Sequence, residues 1–145
     1  MTDGELKQAA AALDTKLNNG NYQTLIHGDA KVANICFSGD GRNVAMVDFQ
    51  YVGRGCGMRD VAYFLGSCLS NTDCEQYADQ LLSMYFAELT KHVPAKEQAA
   101  LETEWRALYC LAWADFHRFL AGWMPEHQKI NSYMQRMTVD ALARL

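Results

Sequence analysis

Apolar residues recur every three or four positions at Leu6, Ala9, Ala10, Leu13 and Leu17, the single stripe of an amphipathic helix over Glu5 to Asn18. Asn18-Asn19-Gly20-Asn21 stops it. The rhythm then shortens. "TLI" precedes His27-Gly28-Asp29, and "ANICFS" and "NVAMVDF" flank Gly39-Asp40-Gly41-Arg42. Two short, partly β-branched runs around glycine and aspartate predict a β-hairpin. "YVGRGCGM", with Gly53, Gly55 and Gly57, reads as a mobile loop. Helical periodicity returns at Arg59 and persists, predicting helices over about 60–69, 74–92, 95–123 and 126–145, with Pro94 and Pro125 as breaks. Helix, small hairpin, then only helices is a mainly α fold with a β insert (α+β), not a βαβ array. It reads as one domain over 1–145, with a loop-rich region at 24–65 and a helical region at 59–145.

Half of the residues are hydrophobic and only two are proline, enough apolar matter for a packed core without long disorder beyond the first few residues. A net charge of −4 argues against a nucleic-acid surface. No apolar run is long enough to span a bilayer, and "MTDGELKQ" has neither the basic nor the apolar part of a signal peptide. The five cysteines form no C-x-x-C pair. They read as reduced thiols of a cytoplasmic protein, with Cys36 and Cys68 buried in apolar runs and Cys56 exposed in its loop. Cysteine and histidine lack the spacing of a zinc site. The glycines of "YVGRGCGM" fail the dinucleotide pattern, because Met58 stands where the third glycine is needed.

The chemistry concentrates around the hairpin. Asp29, Lys31 and Asn34 form D-x-K-x-x-N, and Asp48 follows at the end of the second strand. Folding the hairpin brings Asp48 back beside Asn34 and Asp29. Three oxygen-bearing side chains then meet, a set suited to Mg²⁺, which takes one or two protein groups and completes its shell with phosphate oxygens. A carboxylate outside the metal's shell can accept a hydroxyl proton, and the lysine can offset charge on a moving phosphoryl group. These are parts of a phosphoryl-transfer site.

His27-Gly28-Asp29-Ala30-Lys31-Val32-Ala33-Asn34 followed by Asp48-Phe49-Gln50 resembles the catalytic and metal loops of kinases, in the form used by small-molecule kinases. "HGDAKVANICF", "VDFQ" and "RDVAYFL" resemble the aminoglycoside phosphotransferase and choline kinase superfamily, and within it the ecdysteroid-kinase-like branch. A looser likeness extends over "WADFHRFLAGWMPEHQKIN". The resemblance implies a protein-kinase-like C-terminal lobe. It implies Asp29 as the base toward a small-molecule hydroxyl, Asn34 and Asp48 as Mg²⁺ ligands, and Lys31 near the terminal phosphate of ATP. His27 becomes a structural residue beneath the loop, and Asp60 a brace on the loop backbone. Asp115, Arg118 and Trp123 fall where relatives build the acceptor pocket. Before His27 the sequence offers no Gly-rich phosphate cover and no strand with a phosphate-binding lysine, so it reads as a C-lobe lacking the N-terminal lobe. A separate N-lobe or a homodimer partner is then expected to complete it.

The rival reading is a catalytically silent relative, a folded and dimeric binding protein. A third, a metal-dependent hydrolase on Asp29 and Asp48, fits poorly with the intervening lysine and the trailing Asp-Phe. Elsewhere the residues read as structure. Trp105, Trp113, Phe116, Phe119, Leu120 and Trp123 are expected in the core or a lobe contact, Asp40 and Asn43 in the hairpin turn, His92 at a helix end, and Glu97, Glu102, Glu104 and Arg106 on a solvated helix face.

Overall fold

The computed structural model describes residues 3–145; Met1 and Thr2, where the sequence leaves room for disorder, lie outside the described residues. The elements are α1 (Asp3–Asn18), β1 (Thr24–Ile26), β2 (Ile35–Phe37), β3 (Val44–Met46), β4 (Gly53–Gly55), α2 (Met58–Cys68), α3 (Asn71–Leu89), α4 (Ala95–Trp123) and α5 (Ser132–Leu142). Short 3₁₀ turns occupy Val32–Asn34 and Thr90–His92. The fold is the mainly α, α+β arrangement that the pattern predicts.

The strands form two nested antiparallel pairs. β2 and β3 are the expected hairpin, with Ile35 opposite Met46 and Phe37 opposite Val44. Its turn is tied by Ser38 and Asp40, whose side chains accept backbone N–H groups of Asn43 and Arg42. Outside it, β1 pairs with β4, Ile26 opposite Gly53 and Thr24 opposite Gly55. This outer pair corrects the mobile-loop expectation for 53–57. Two of the three residues of β4 are glycine, and at Gly55 the space is taken: a Cβ there would lie 2.6 Å from the Ile26 Cδ1 atom. Cys56, expected outside, is fully buried where β4 turns into α2, and burial pushes its thiol up to about 11. Cys36 and Cys68 reverse in the other direction, both being exposed.

α4 is the hub. Over 29 residues it buries Leu101, Trp105, Tyr109, Trp113, Phe116 and Leu120, with further buried residues between them, so apolar contacts run round much of the helix. α1 lays Leu6, Leu13 and Leu17 into this core, the stripe read from the sequence. α2 adds Met58, Ala62 and Leu65; α3 adds Cys74, Ala78, Leu82 and Phe86; α5 adds Tyr133, Met134 and Ala141. Of the residues expected in the core or a lobe contact, Phe119 and Trp123 lie outside the core and stand exposed on the last turns of α4, stacked on each other. The last helix starts later than its pattern suggests. After Pro125 the chain makes turns, and Asn131 then caps α5 by accepting the Met134 N–H at 3.0 Å.

Two neighbouring residues of α4 fix where β1 begins. Glu104 accepts N–H bonds from Asn21 backbone, Asn21 side chain and Tyr22 backbone at 3.0, 2.8 and 3.0 Å, and the Trp105 indole donates to the Tyr22 carbonyl at 3.0 Å. Glu104 therefore leaves the solvated face assigned to it. Glu104→Ala strands these donors and is expected to cost about 1–3 kcal/mol in urea denaturation. Glu102→Ala, half a turn earlier and paired with Arg106 on the helix surface, should change stability by less than about 1 kcal/mol.

Candidate active site

The two strand pairs do not join into one ladder. Between Ile26 and Ile35 the chain makes the loop 27–34; between Met46 and Gly53 it makes the loop 47–52. These loops face each other, and His27, Asp29, Lys31, Asn34 and Asp48 lie on them, while Asp60 lies on α2 and Asp115, Arg118 and Trp123 on α4. Among the described residues two hydrogen bonds cross the gap. The Val47 N–H donates to the Asn34 carbonyl at 3.0 Å, and the His27 Nε2 lies 2.8 Å from the Val47 carbonyl. Asp48 is the next residue, which places it beside the 3₁₀ turn that carries Asn34. Its backbone is left-handed, φ 64°, a conformation aspartate tolerates better than most residues.

Leaving the ladder orphans backbone N–H groups, and α2 supplies their acceptors. Asp60, in its first turn, takes the His27 N–H at 2.6 Å and the Gly28 N–H at 3.0 Å. Ser67, two turns along, takes the Val32 N–H at 2.8 Å and passes its own proton to the Phe64 carbonyl. Gly28 has φ 80°, and a Cβ there would meet the Tyr51 carbonyl at 2.4 Å, so the position excludes a side chain. His27 is buried, its ring 5.0 Å from that of Phe49 and its Nδ1 accepting the Asp29 N–H at 3.2 Å.

Asp29, Lys31 and Asn34 meet directly. The Asp29 Oδ2 accepts from the Lys31 Nζ at 2.8 Å and from the Asn34 Nδ2 at 2.9 Å. The same Asn34 nitrogen also donates to the Asp29 carbonyl at 2.9 Å. Burial pushes the Asp29 carboxyl up, but its bonds to Lys31 and Asn34, the nearby Tyr63 hydroxyl and the lysine charge outweigh it, leaving it below its ordinary 3.8. The Lys31 ammonium is raised by its bond to Asp29, against some desolvation, and by the charges of Asp29, Asp48 and Tyr51. Asp48 thus reaches this cluster through its field on Lys31.

The donor set available to a metal is small. The Asn34 side-chain oxygen and the Asp48 carboxylate take no hydrogen bond from the described residues. Among the described residues no group of three His, Cys, Asp or Glu side chains could hold an ion. Two hard oxygens without a third protein ligand fit Mg²⁺, which keeps the rest of its shell for water and phosphate, and do not fit a structural zinc.

Asp29 opens onto a groove of about 460 Å³, walled by Tyr63, Phe116 and Phe119 and by the ion pair Arg118–Asp115. Arg118 donates to a single Asp115 oxygen through Nε and Nη2 at 3.0 and 2.8 Å. Of the three residues expected at an acceptor pocket, Asp115 and Arg118 line this groove and Trp123 does not. Sequence reasoning missed Ser67 and Tyr63. The signal was present: positions 60, 63 and 67 share one face of a helix, and Asp60 had already been read as facing the loop.

The sequence profile of the ecdysteroid kinase-like family matches residues 4–97, from α1 to the start of α4. No curated protein and no solved structure matches the chain.

Asp60→Ala removes the shared acceptor of two amides and should cost about 1–3 kcal/mol, with faster hydrogen exchange at His27 and Gly28. The lowered Asp29 carboxyl has a definite sign in pH. Its ionised form contributes stability that is present above its ordinary 3.8 and lost as pH falls through its lowered folded value. Asp29→Asn should therefore flatten the acid limb of Tm against pH, measured by circular dichroism.

Proposed function

This chain belongs to the ecdysteroid kinase-like family, and from that premise we propose that it is the substrate-facing, C-terminal lobe of a kinase that phosphorylates a hydroxyl of a small molecule with ATP and Mg²⁺. One observation carries the reading: a groove ends at a buried carboxylate held on one oxygen by a lysine and an asparagine. Beside it, an amide oxygen and a second carboxylate have no donor of their own among the described residues. Asn34 and Asp48 would hold Mg²⁺, which supplies charge neutralisation on the phosphates.

Asp29 orients the acceptor hydroxyl. As the hydroxyl oxygen bonds to the terminal phosphorus, the bond from that phosphorus to the ADP oxygen breaks and the hydroxyl proton passes to the Asp29 carboxylate. A carboxyl held below its ordinary value is a weak base, suited to a loose transition state in which the proton leaves late. Lys31 keeps Asp29 ionised and offsets charge on the transferring group. Its five cysteines, none of them in a disulfide, favour a reducing, cytoplasmic setting.

A second reading has its own support. Phe37, Val44, Met46 and Phe49 are 55, 61, 37 and 55% exposed on the hairpin and the loop after it, an apolar surface beside the site. That surface suits a separate N-lobe, which would complete the enzyme, or a second copy of the chain, which would make a silent binding dimer.

Thermal unfolding with millimolar ATP separates the two. A working site gives a Mg²⁺-dependent rise in Tm of about 2–5 °C. Asp48→Gly, which keeps the left-handed backbone without strain but deletes the carboxylate, should fold normally and abolish the rise. No rise in the wild type favours the silent dimer, which sedimentation would then reveal.

A further inference from the structure

The acids that line the groove are already engaged. Asp60 gives one oxygen to each of two amides, and Asp115 gives one oxygen to Arg118 while the other lies 4.0 Å from the Arg59 guanidinium. Asp29 gives Oδ2 to Lys31 and Asn34, which leaves Oδ1 for an incoming hydroxyl. An acceptor carrying an ammonium finds no carboxylate oxygen beyond the one its hydroxyl needs.

The two arginines of the groove differ. Arg59 is turned to α1, donating through Nη2 to Asp14 and Asn18 at 3.1 and 3.3 Å. Arg118 is 41% exposed, and a guanidinium presents its N–H donors as a planar fork. One edge of that fork, Nε and Nη2, is spent on a single Asp115 oxygen. The outer edge, Nη1 and the second N–H of Nη2, has no acceptor among the described residues. With its inner edge held by Asp115, the fork is oriented before anything binds.

We infer that Arg118 is the specificity-determining residue of the groove, its outer edge reading a planar oxygen, that of a carbonyl or carboxylate, on the apolar body of the acceptor. The inference rests on the reading of the groove as the acceptor's bed. Tyr63, Phe116 and Phe119 cover the body, Asp29 takes the hydroxyl, and Arg118 takes the second oxygen. A planar oxygen matches the planar fork, whereas an ammonium meets the like charge of Arg118 with no acid left to offset it. The groove therefore selects hydroxyl compounds with a carbonyl or carboxylate and turns away amines.

Four para-substituted phenols of similar size serve as probes: propylphenol, hydroxyphenylbutanone, hydroxyphenylpropionate and tyramine. Each is titrated into the intact chain at neutral pH without nucleotide, and Kd is read from the amide shifts of Phe116 and Phe119. The ketone or the acid should bind about tenfold tighter than propylphenol, and tyramine no tighter than propylphenol. Arg118→Gln should erase that gain, and Asp115 still has the Arg59 guanidinium beside it. Arg136→Gln, outside the groove, should keep the gain. An acid that binds tighter than the ketone assigns an ionised oxygen; a ketone at least as tight assigns a neutral one. Equal affinities for the four probes, preference for tyramine, absence of saturable binding, or a gain that survives Arg118→Gln overturns the proposal. The order in the wild type decides by itself if Arg118→Gln does not fold. No phosphoryl transfer is measured, so the kinase reading fails separately, on the Mg²⁺-dependent rise in Tm.

Discussion

Two peptide N–H groups, at His27 and Gly28, end on one carboxylate, that of Asp60. The rest of the site depends on this contact. A chain that leaves a β-ladder carries orphaned amides, and near a protein interior each must find an acceptor or cost about 1–3 kcal/mol. Asp60 meets two at once, from the first turn of α2, where a negative charge also suits the helix dipole. With residues 27 and 28 held, the buried Asp29 side chain is within reach of Lys31, Asn34 and Tyr63. The loop is thus a deliberate interruption of a long hairpin, propped from below by a helix.

Charge balance explains why the acids can sit so close together. Asp29 and Asp48 both act on the ammonium of Lys31, and Asp60 spends its charge on backbone donors. Asp29 is the most enclosed of these groups, and its Oδ2 collects the Lys31 and Asn34 side-chain donors. Across the groove Asp115 is bound by Arg118, with the Arg59 guanidinium 4.0 Å from its other oxygen. Aromatic rings fill the space between the two ionic clusters. The groove is therefore polar at its ends and apolar along its walls, the layout of a small-molecule site.

Much of this was legible in the sequence, for identifiable reasons. The α1 stripe, the β2–β3 hairpin and the span of α4 follow from periodicity and breakers, which side-chain chemistry encodes directly. The spacing of Asp29, Lys31 and Asn34 encodes their meeting, because a short loop leaves them little else to face. β4 was illegible because its pairing is backbone to backbone and its glycines mark close approach rather than mobility. Glu104 looked like one charge of a solvated row, and only the long-range return of residues 21 and 22 gives it partners. The thiols misled for different reasons: Cys36 lies in a three-residue strand too short to carry a pattern, Cys56 in the turn from β4 into α2, and Cys68 at the exposed last position of α2.

α4 is one unbroken rod of about 43 Å, at about 1.5 Å rise for each of its 29 residues. Its inner part bears Glu104 and Trp105, which register β1, while its outer end carries Arg118 and Phe119 to the groove wall. The two tasks lie several turns apart on a stiff element. Descendants of such a chain are free to explore new acceptors by exchanging a few outer residues, because the parts that align the chemistry sit too far along the rod to feel the change. Innovation at one end and fidelity at the other is an inheritance that a single long helix makes inexpensive.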